Sequence, residues 1–192
     1  MEEDSPKKTL LLEAGRKLFW KYGFRRVTTE EISREAGISR MTFYKYFENK
    51  THLAKTIYSN LVNQSLERFN NIIHSGASSS EIMKIILMLK MEATDNISRE
   101  FLMDLYNSPG SDLQAFVEET NRKVWEEMIE GFRYAQEIGT IRNNFKPEFL
   151  IYISQKLGSL VTDEELLKLY DSPQDLIIEF VNLITYGIVA ER

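Results

Sequence analysis

Apolar residues recur every three or four positions along most of this 192-residue chain, and no stretch alternates strictly enough to predict a strand. Ser5-Pro6 predicts a helix start, and Leu11, Gly15, Leu18 and Tyr22 then follow at helical spacing until Gly23. A glycine in the middle of that helix costs about 1 kcal/mol against alanine, so Gly15 predicts a close crossing by another helix. Thr28 and Glu31 form a capping box, with Val27 and Ile32 as its staple, and Gly37 ends the short helix. Ser39 caps the next one, stapled by Ile38 and Phe43. Two short helices joined by a Gly-containing turn, after a longer one, make a three-helix helix-turn-helix.

From Asn49 the period continues through Leu53, Ile57, Leu61, Leu66, Phe69 and Ile73 to about Gly76. That is about 25 residues, or roughly 37 Å at about 1.5 Å per residue. Further helices are expected at about Ser80 to Asp95, Arg99 to Tyr106, Asp112 to Ile138, Pro147 to Val161, Thr162 to Tyr170 and Pro173 to Ala190, with breaks at "GASSS" and "NSPGSD". The expected fold is all-α: a three-helix helix-turn-helix head in residues 1–50, followed by a larger helical domain in residues 51–192.

On the second short helix Phe43 and Phe47 stand one turn apart and can pack on the first helix of the chain. Met41, Thr42, Lys45 and Tyr46 then lie largely on the other side, with Arg40 and Tyr44 at a flank. Donors, a methyl-bearing hydroxyl and rings on one short helix suit a major groove. Arg40 has the reach for guanine edges, and Met41 or Thr42 for a thymine methyl. Tyr44, Tyr46, Lys50 and Thr29 are better placed for phosphate oxygens. The plainer alternative is a small helical domain in which Lys45 and Lys50 are solvated surface, and Tyr46 fits that alternative least well.

Charge sharpens the picture. Net charge is -5, yet residues 1–55 hold 12 Lys or Arg against 8 Asp or Glu, and residues 56–192 hold 12 against 21. Only the N-terminal part could meet phosphate, and a basic groove over the whole molecule is excluded. With no cysteine and two isolated histidines, disulfides and a zinc site of usual composition are excluded and no cofactor is expected. No apolar run reaches membrane-spanning length, and "MEEDSPKK" lacks the basic and apolar character of a secretory signal, so a cytoplasmic setting is expected. A P-loop, HExxH, GxSxG and a His-nucleophile pair are all missing, so an enzyme is not expected.

In the C-terminal part, Met88, Met91, Phe101, Tyr106, Trp125, Met128 and Phe132 are candidates to line an effector cavity; filled core is the alternative. In "PQDLIIEFVNLITYGIVA" only Glu179, Asn182 and Thr185 interrupt the apolar surface of the middle. That helix needs cover on more than one side, and Phe149, Ile153, Leu157 and Leu160 offer a matching face on the preceding long helix. A homodimer through the last two long helices is inferred, with Gly158 and Gly187 permitting close crossing.

The run "TTEEISREAGISRMTFYKYFENKTHL", preceded by "EAGRKLFWKYGF", resembles the N-terminal signature of the TetR family of bacterial transcriptional regulators over roughly residues 8 to 55. The resemblance implies Thr29 as a phosphate contact, Arg40, Met41 and Thr42 as base readers, and Tyr44, Tyr46 and Lys50 as backbone clamps. Gly15 departs from the alanine common in the first helix, Met41 from a frequent small residue, and Glu30 stands where some relatives place a residue that touches DNA; an acid there could accept from cytosine or merely repel phosphate, and a structural role in the first turn of its helix is the favoured reading. The implied function is that of a homodimeric repressor on a pseudo-palindromic double-stranded operator, released by a small, mostly apolar effector. A DNA-binding architectural protein with no effector is the alternative.

Overall fold

The computed structural model describes residues 5–106 and 111–188, except the side chains of Tyr106, Ile151, Ser154, Gln155, 157–159 and 184–188. The expected break at "NSPGSD", the Tyr106 lining role, the Leu157 face residue, and Gly158 and Gly187 therefore lie wholly or partly outside what is described. Among the described residues ten helices run in order: α1 Pro6–Tyr22, α2 Thr29–Glu35, α3 Arg40–Tyr46, α4 Lys50–Ile73, α5 Ser79–Thr94, α6 Arg99–Tyr106, α7 Asp112–Glu137, α8 Pro147–Leu160, α9 Glu164–Leu167 and α10 Pro173–Ile188. The protein is all-α, as its hydrophobic period predicts. None of the described helices is long and apolar enough to cross a membrane.

The helix boundaries follow local chemistry. The Thr28 box is present in full: its hydroxyl accepts from the Glu31 backbone N–H, and the Glu31 carboxylate takes the Thr28 backbone N–H at 2.8 Å. Ser39 accepts from the Thr42 N–H and starts α3. At α5 a second full capping box uses Ser78 and Glu81, two residues before the expected start at Ser80. Ser5 occupies the cap position of α1 but makes no side-chain cap; its hydroxyl meets Tyr46 Oη at 2.8 Å instead. The small helix after α8 is shorter than expected, because Asp163 rather than Thr162 caps it.

By packing, the chain divides into two compact units, residues 1–60 with 96–118, and residues 61–95 with 119–192. In the first, Leu11, Ile32, Phe43, Phe47 and Leu53 are sealed from water, each contributing about 1.5–3 kcal/mol of burial. A Cβ on Gly15 would stand 2.8 Å from Leu53 Cδ2 and 2.9 Å from Ile57 Cδ1, so α4 crosses α1 at the glycine, as its cost in a helix predicts. Helix α6 belongs to this unit: the Phe101 ring stacks on Trp20 at 4.3 Å, and the Ser98 N–H donates to the Trp20 carbonyl.

The second unit centres on Phe69, Ile73, Ile82, Phe132, Ala135 and Ile141. Phe69 and Phe132 meet edge to face at 5.5 Å. Gly131 lets the Phe69 ring lie on α7, since a Cβ there would stand 2.7 Å from Phe69 Cε1. Alanine at this position adds about 1 kcal/mol of helix propensity but overpacks a closed site by about 1–3 kcal/mol. Gly131→Ala is expected to lower the thermal midpoint by a few degrees; a raised midpoint in a calorimetric scan would show that the ring yields freely.

Candidate nucleic-acid interface

The head presents one surface built from α2 and α3. Phe43 and Phe47 take the inward positions of α3 and its end, their rings 5.8 Å apart. Helical spacing then forces Arg40, Met41, Tyr44 and Lys45 outward, and all four are exposed, Met41 at 76%. An apolar side chain that open, next to a guanidinium and an ammonium, is what a thymine-methyl contact requires. Thr42 is half-buried, its hydroxyl 2.9 Å from the Ser39 hydroxyl in the cap of α3.

Four side chains tie α2 to α3 across this surface. Arg40 Nη1 pairs with Glu30 Oε1 at 2.6 Å, and its guanidinium lies 5.7 Å from the Tyr44 ring centre. The Tyr44 hydroxyl is 3.3 Å from the Thr29 hydroxyl, which donates to Glu30 Oε2 at 3.2 Å. Thr29 and Arg40 together hold the Tyr44 phenol below its ordinary pKa. The Glu30 carboxyl is lowered first by its own backbone N–H at the start of α2, then by Thr29 and Arg40.

Arg40, Met41, Tyr44 and Lys45 thus share one exposed face, with the half-buried Thr29 at its edge. Tyr46 is half-buried with its hydroxyl committed to Ser5, and Thr42 serves the α3 cap. Lys50 differs most from a phosphate clamp. Its ammonium donates to three backbone carbonyls, Phe24 at 2.8 Å, Arg25 at 2.9 Å and Val27 at 3.0 Å, beneath the Phe24 ring. An ammonium has three hydrogens, so in this arrangement none is left for phosphate. Burial pushes the Lys50 pKa down, while the carboxylates of Asp104 and Glu31 push it back up.

The same loop is held from α6: Asp104 accepts from the Arg25 backbone N–H at 2.8 Å and pairs with its Nε at 3.4 Å. Nothing in the sequence signals that contact, because the two residues stand 79 positions apart. The Arg40 and Glu30 pairing had a signal, an acid in the first turn of a helix whose neighbour carries the arginine.

The residues considered for an effector cavity have other surroundings. Phe101 belongs to the first unit, stacked on Trp20. There it borders an apolar void with Phe19, Ala54, Tyr58, Leu113 and Val117, of about 10 Å³, room for roughly one water molecule. Phe132 is core of the second unit and Met128 packs against that core. Trp125 is half-buried, and Met88 and Met91 are exposed on α5, where the Met91 carbonyl accepts from Gln174 of α10.

A capped helix-turn-helix is the feature of this chain that comparison with known proteins matches in sequence. Residues 11–57 match the bacterial regulatory proteins of the tetR family. A curated relative, the fatty acid metabolism regulator protein of Bacillus subtilis, is 23% identical over 87 residues, 45% of each chain. The solved fatty acid degradation regulator FadR of Bacillus halodurans superposes with a TM-score of 0.74 at 14% identity, covering 99% of this chain and 100% of that one. FadR from Bacillus subtilis, solved in complex with stearoyl-CoA, gives 0.70 at 14% identity, covering 95% and 97%. The sequence matches span less than half the length of the curated relatives. The family match is confined to residues 11–57, and over nearly its whole length the chain shares the all-α fold of these solved structures.

Lys50→Met keeps much of the apolar stem and leaves three carbonyls without their donor. A loss of about 1–3 kcal/mol in urea unfolding is expected. An unchanged midpoint would mean that water replaces the ammonium at no cost.

Proposed function

We propose that this chain is a transcriptional regulator whose head, residues 1–50, reads double-stranded DNA, and whose remaining helices, residues 51–192, carry dimerisation and effector response. The observation that carries this reading is the exposed face of α3, where a bare methionine stands between a guanidinium, a phenol and an ammonium. Arg40 and Met41 specify bases; Thr29, Tyr44 and Lys45 position the head on phosphates. Tyr46 and Lys50 act by holding that face in place.

The protein works as a homodimer. Phe149, Tyr152 and Leu160 of α8, and Leu183 of α10, are exposed, three of them at 57% or more, on two helices that also carry the buried Leu150, Leu176 and Ile177. A second copy supplies the missing cover under two-fold symmetry, and two heads then meet half-sites about 34–36 Å apart on a pseudo-palindromic operator. An effector with different affinity for two head spacings shifts the protein off DNA, giving a cytoplasmic repressor. The stearoyl-CoA complex of the Bacillus subtilis relative supports a long-chain acyl effector for this chain as well.

Titration of the full chain against its upstream DNA at several salt concentrations tests the DNA reading. Arg40→Ala is expected to cost about 1–3 kcal/mol of discrimination between that DNA and random duplex, with little change in salt dependence. Equal affinity of the unaltered protein for both duplexes would overturn it. Phe149→Glu with Leu183→Glu is expected to give a monomer by sedimentation and to weaken operator binding at least tenfold, and a persisting dimer would place the interface elsewhere. Saturating stearoyl-CoA should lower operator affinity about tenfold or more, a coupling of about 1.4 kcal/mol; no change would exclude this effector class.

A further inference from the structure

We infer that Glu30 is a specificity-determining residue of this head: it positions Arg40 for a guanine edge and penalises binding to phosphate alone. The inference rests on the DNA reading above and concerns how the surface discriminates, not whether it binds.

An acid on a DNA-facing surface is unfavourable for affinity, because it repels the phosphates that supply most sequence-independent binding. Glu30 nevertheless stands there, 53% exposed, with its carboxylate on Arg40. Fold stability is a poor reason for it, since an exposed ion pair of this kind contributes little. The α2 capping box uses Glu31; Glu30 adds a second first-turn acid whose carboxylate meets its own backbone N–H, and it reaches Arg40 as well. What Glu30 does change is where Arg40 points. One carboxylate oxygen takes Nη1, the other takes the Thr29 hydroxyl, and that hydroxyl lies beside the Tyr44 phenol under the guanidinium. The guanidinium is held by Glu30 at Nη1 and by the Tyr44 phenol, and its remaining N–H groups point to the O6 and N7 acceptors of guanine as partners.

Two consequences separate specific from non-specific binding. On a correct site Arg40 arrives already oriented, and the Glu30 carboxylate can accept from the exocyclic amine of a neighbouring cytosine. On an incorrect site no base edge satisfies either group, while the carboxylate still faces the backbone and still competes with phosphate for Arg40. Glu30 therefore weakens non-specific binding more than specific binding and raises their ratio.

The test uses the full chain to select from a duplex pool randomised over about 30 base pairs, about three helical turns. Unaltered protein, Glu30→Gln, Glu30→Asp, Arg40→Ala and the Glu30→Gln/Arg40→Ala pair are compared, each checked for an unchanged circular dichroism melt. Glu30→Gln is expected to bind random duplex about three- to tenfold more tightly and to lose at least about tenfold in specificity ratio, with the guanine preference at the Arg40 position reduced. Glu30→Asp keeps the charge but shortens the reach, so weak non-specific binding should persist while the guanine preference falls. In the Arg40→Ala background Glu30→Gln should alter only non-specific affinity and the preference for a cytosine beside the Arg40 position. An unchanged selected sequence and ratio for Glu30→Gln would overturn the inference, as would the same loss of guanine preference in the Arg40→Ala background. Failure of the unaltered protein to select any sequence would overturn the DNA reading itself, and this inference with it.

Discussion

Three backbone carbonyls converge on the Lys50 ammonium, and the geometry of the head depends on that convergence. The carbonyls belong to Phe24, Arg25 and Val27, the loop between α1 and α2, and the lysine is the first residue of α4. With those carbonyls fixed, Thr28 is fixed as the cap of α2, and the direction of α2 decides where Thr29 and Glu30 meet α3. Gly23 turns the chain into the loop at φ 84°, and a Cβ there would stand 2.8 Å from Asp104 Oδ2. A lysine expected at a phosphate instead holds the loop from which the α2 and α3 surface is built.

Stability and recognition use different sides of the same short helices. The inward positions, Ile32, Phe43 and Phe47, are large and sealed, and close packing leaves little freedom in how α2 and α3 lie on α1. The outward positions contribute almost nothing to folding, so they are free to carry a guanidinium, a bare thioether and an acid. The positive balance of residues 1–55 against the acidic remainder keeps attraction for phosphate on this face.

Local chemistry made most of the architecture readable in advance. The Thr28 box, the Ser39 cap and the Phe43/Phe47 spacing are short-range patterns with one common structural solution, and Gly15 gave away the crossing of α4 because a glycine inside a helix needs a reason. Long-range partners were not readable. Asp104 reaching Arg25 and the Lys50 ammonium entering the loop join positions that no periodicity connects. The aromatic and methionine residues of the larger part left two readings open for a related reason: spacing alone does not say whether a ring lines a space or fills one. Phe101 fills against Trp20 and Phe132 against Phe69. The exposed residues of α8 and α10 were legible because an apolar helix with too few polar interruptions must be covered by something.

The central claim is that a paired set of α3 faces reads two half-sites in the major groove. Hydroxyl-radical footprinting of the unaltered full chain on a duplex it selects tests this most directly. The account predicts two protected patches on one face of the duplex, centred about one helical turn or a small multiple of it apart, about 10–10.5 base pairs per turn. Uniform protection along the duplex, independent of its sequence, would contradict it.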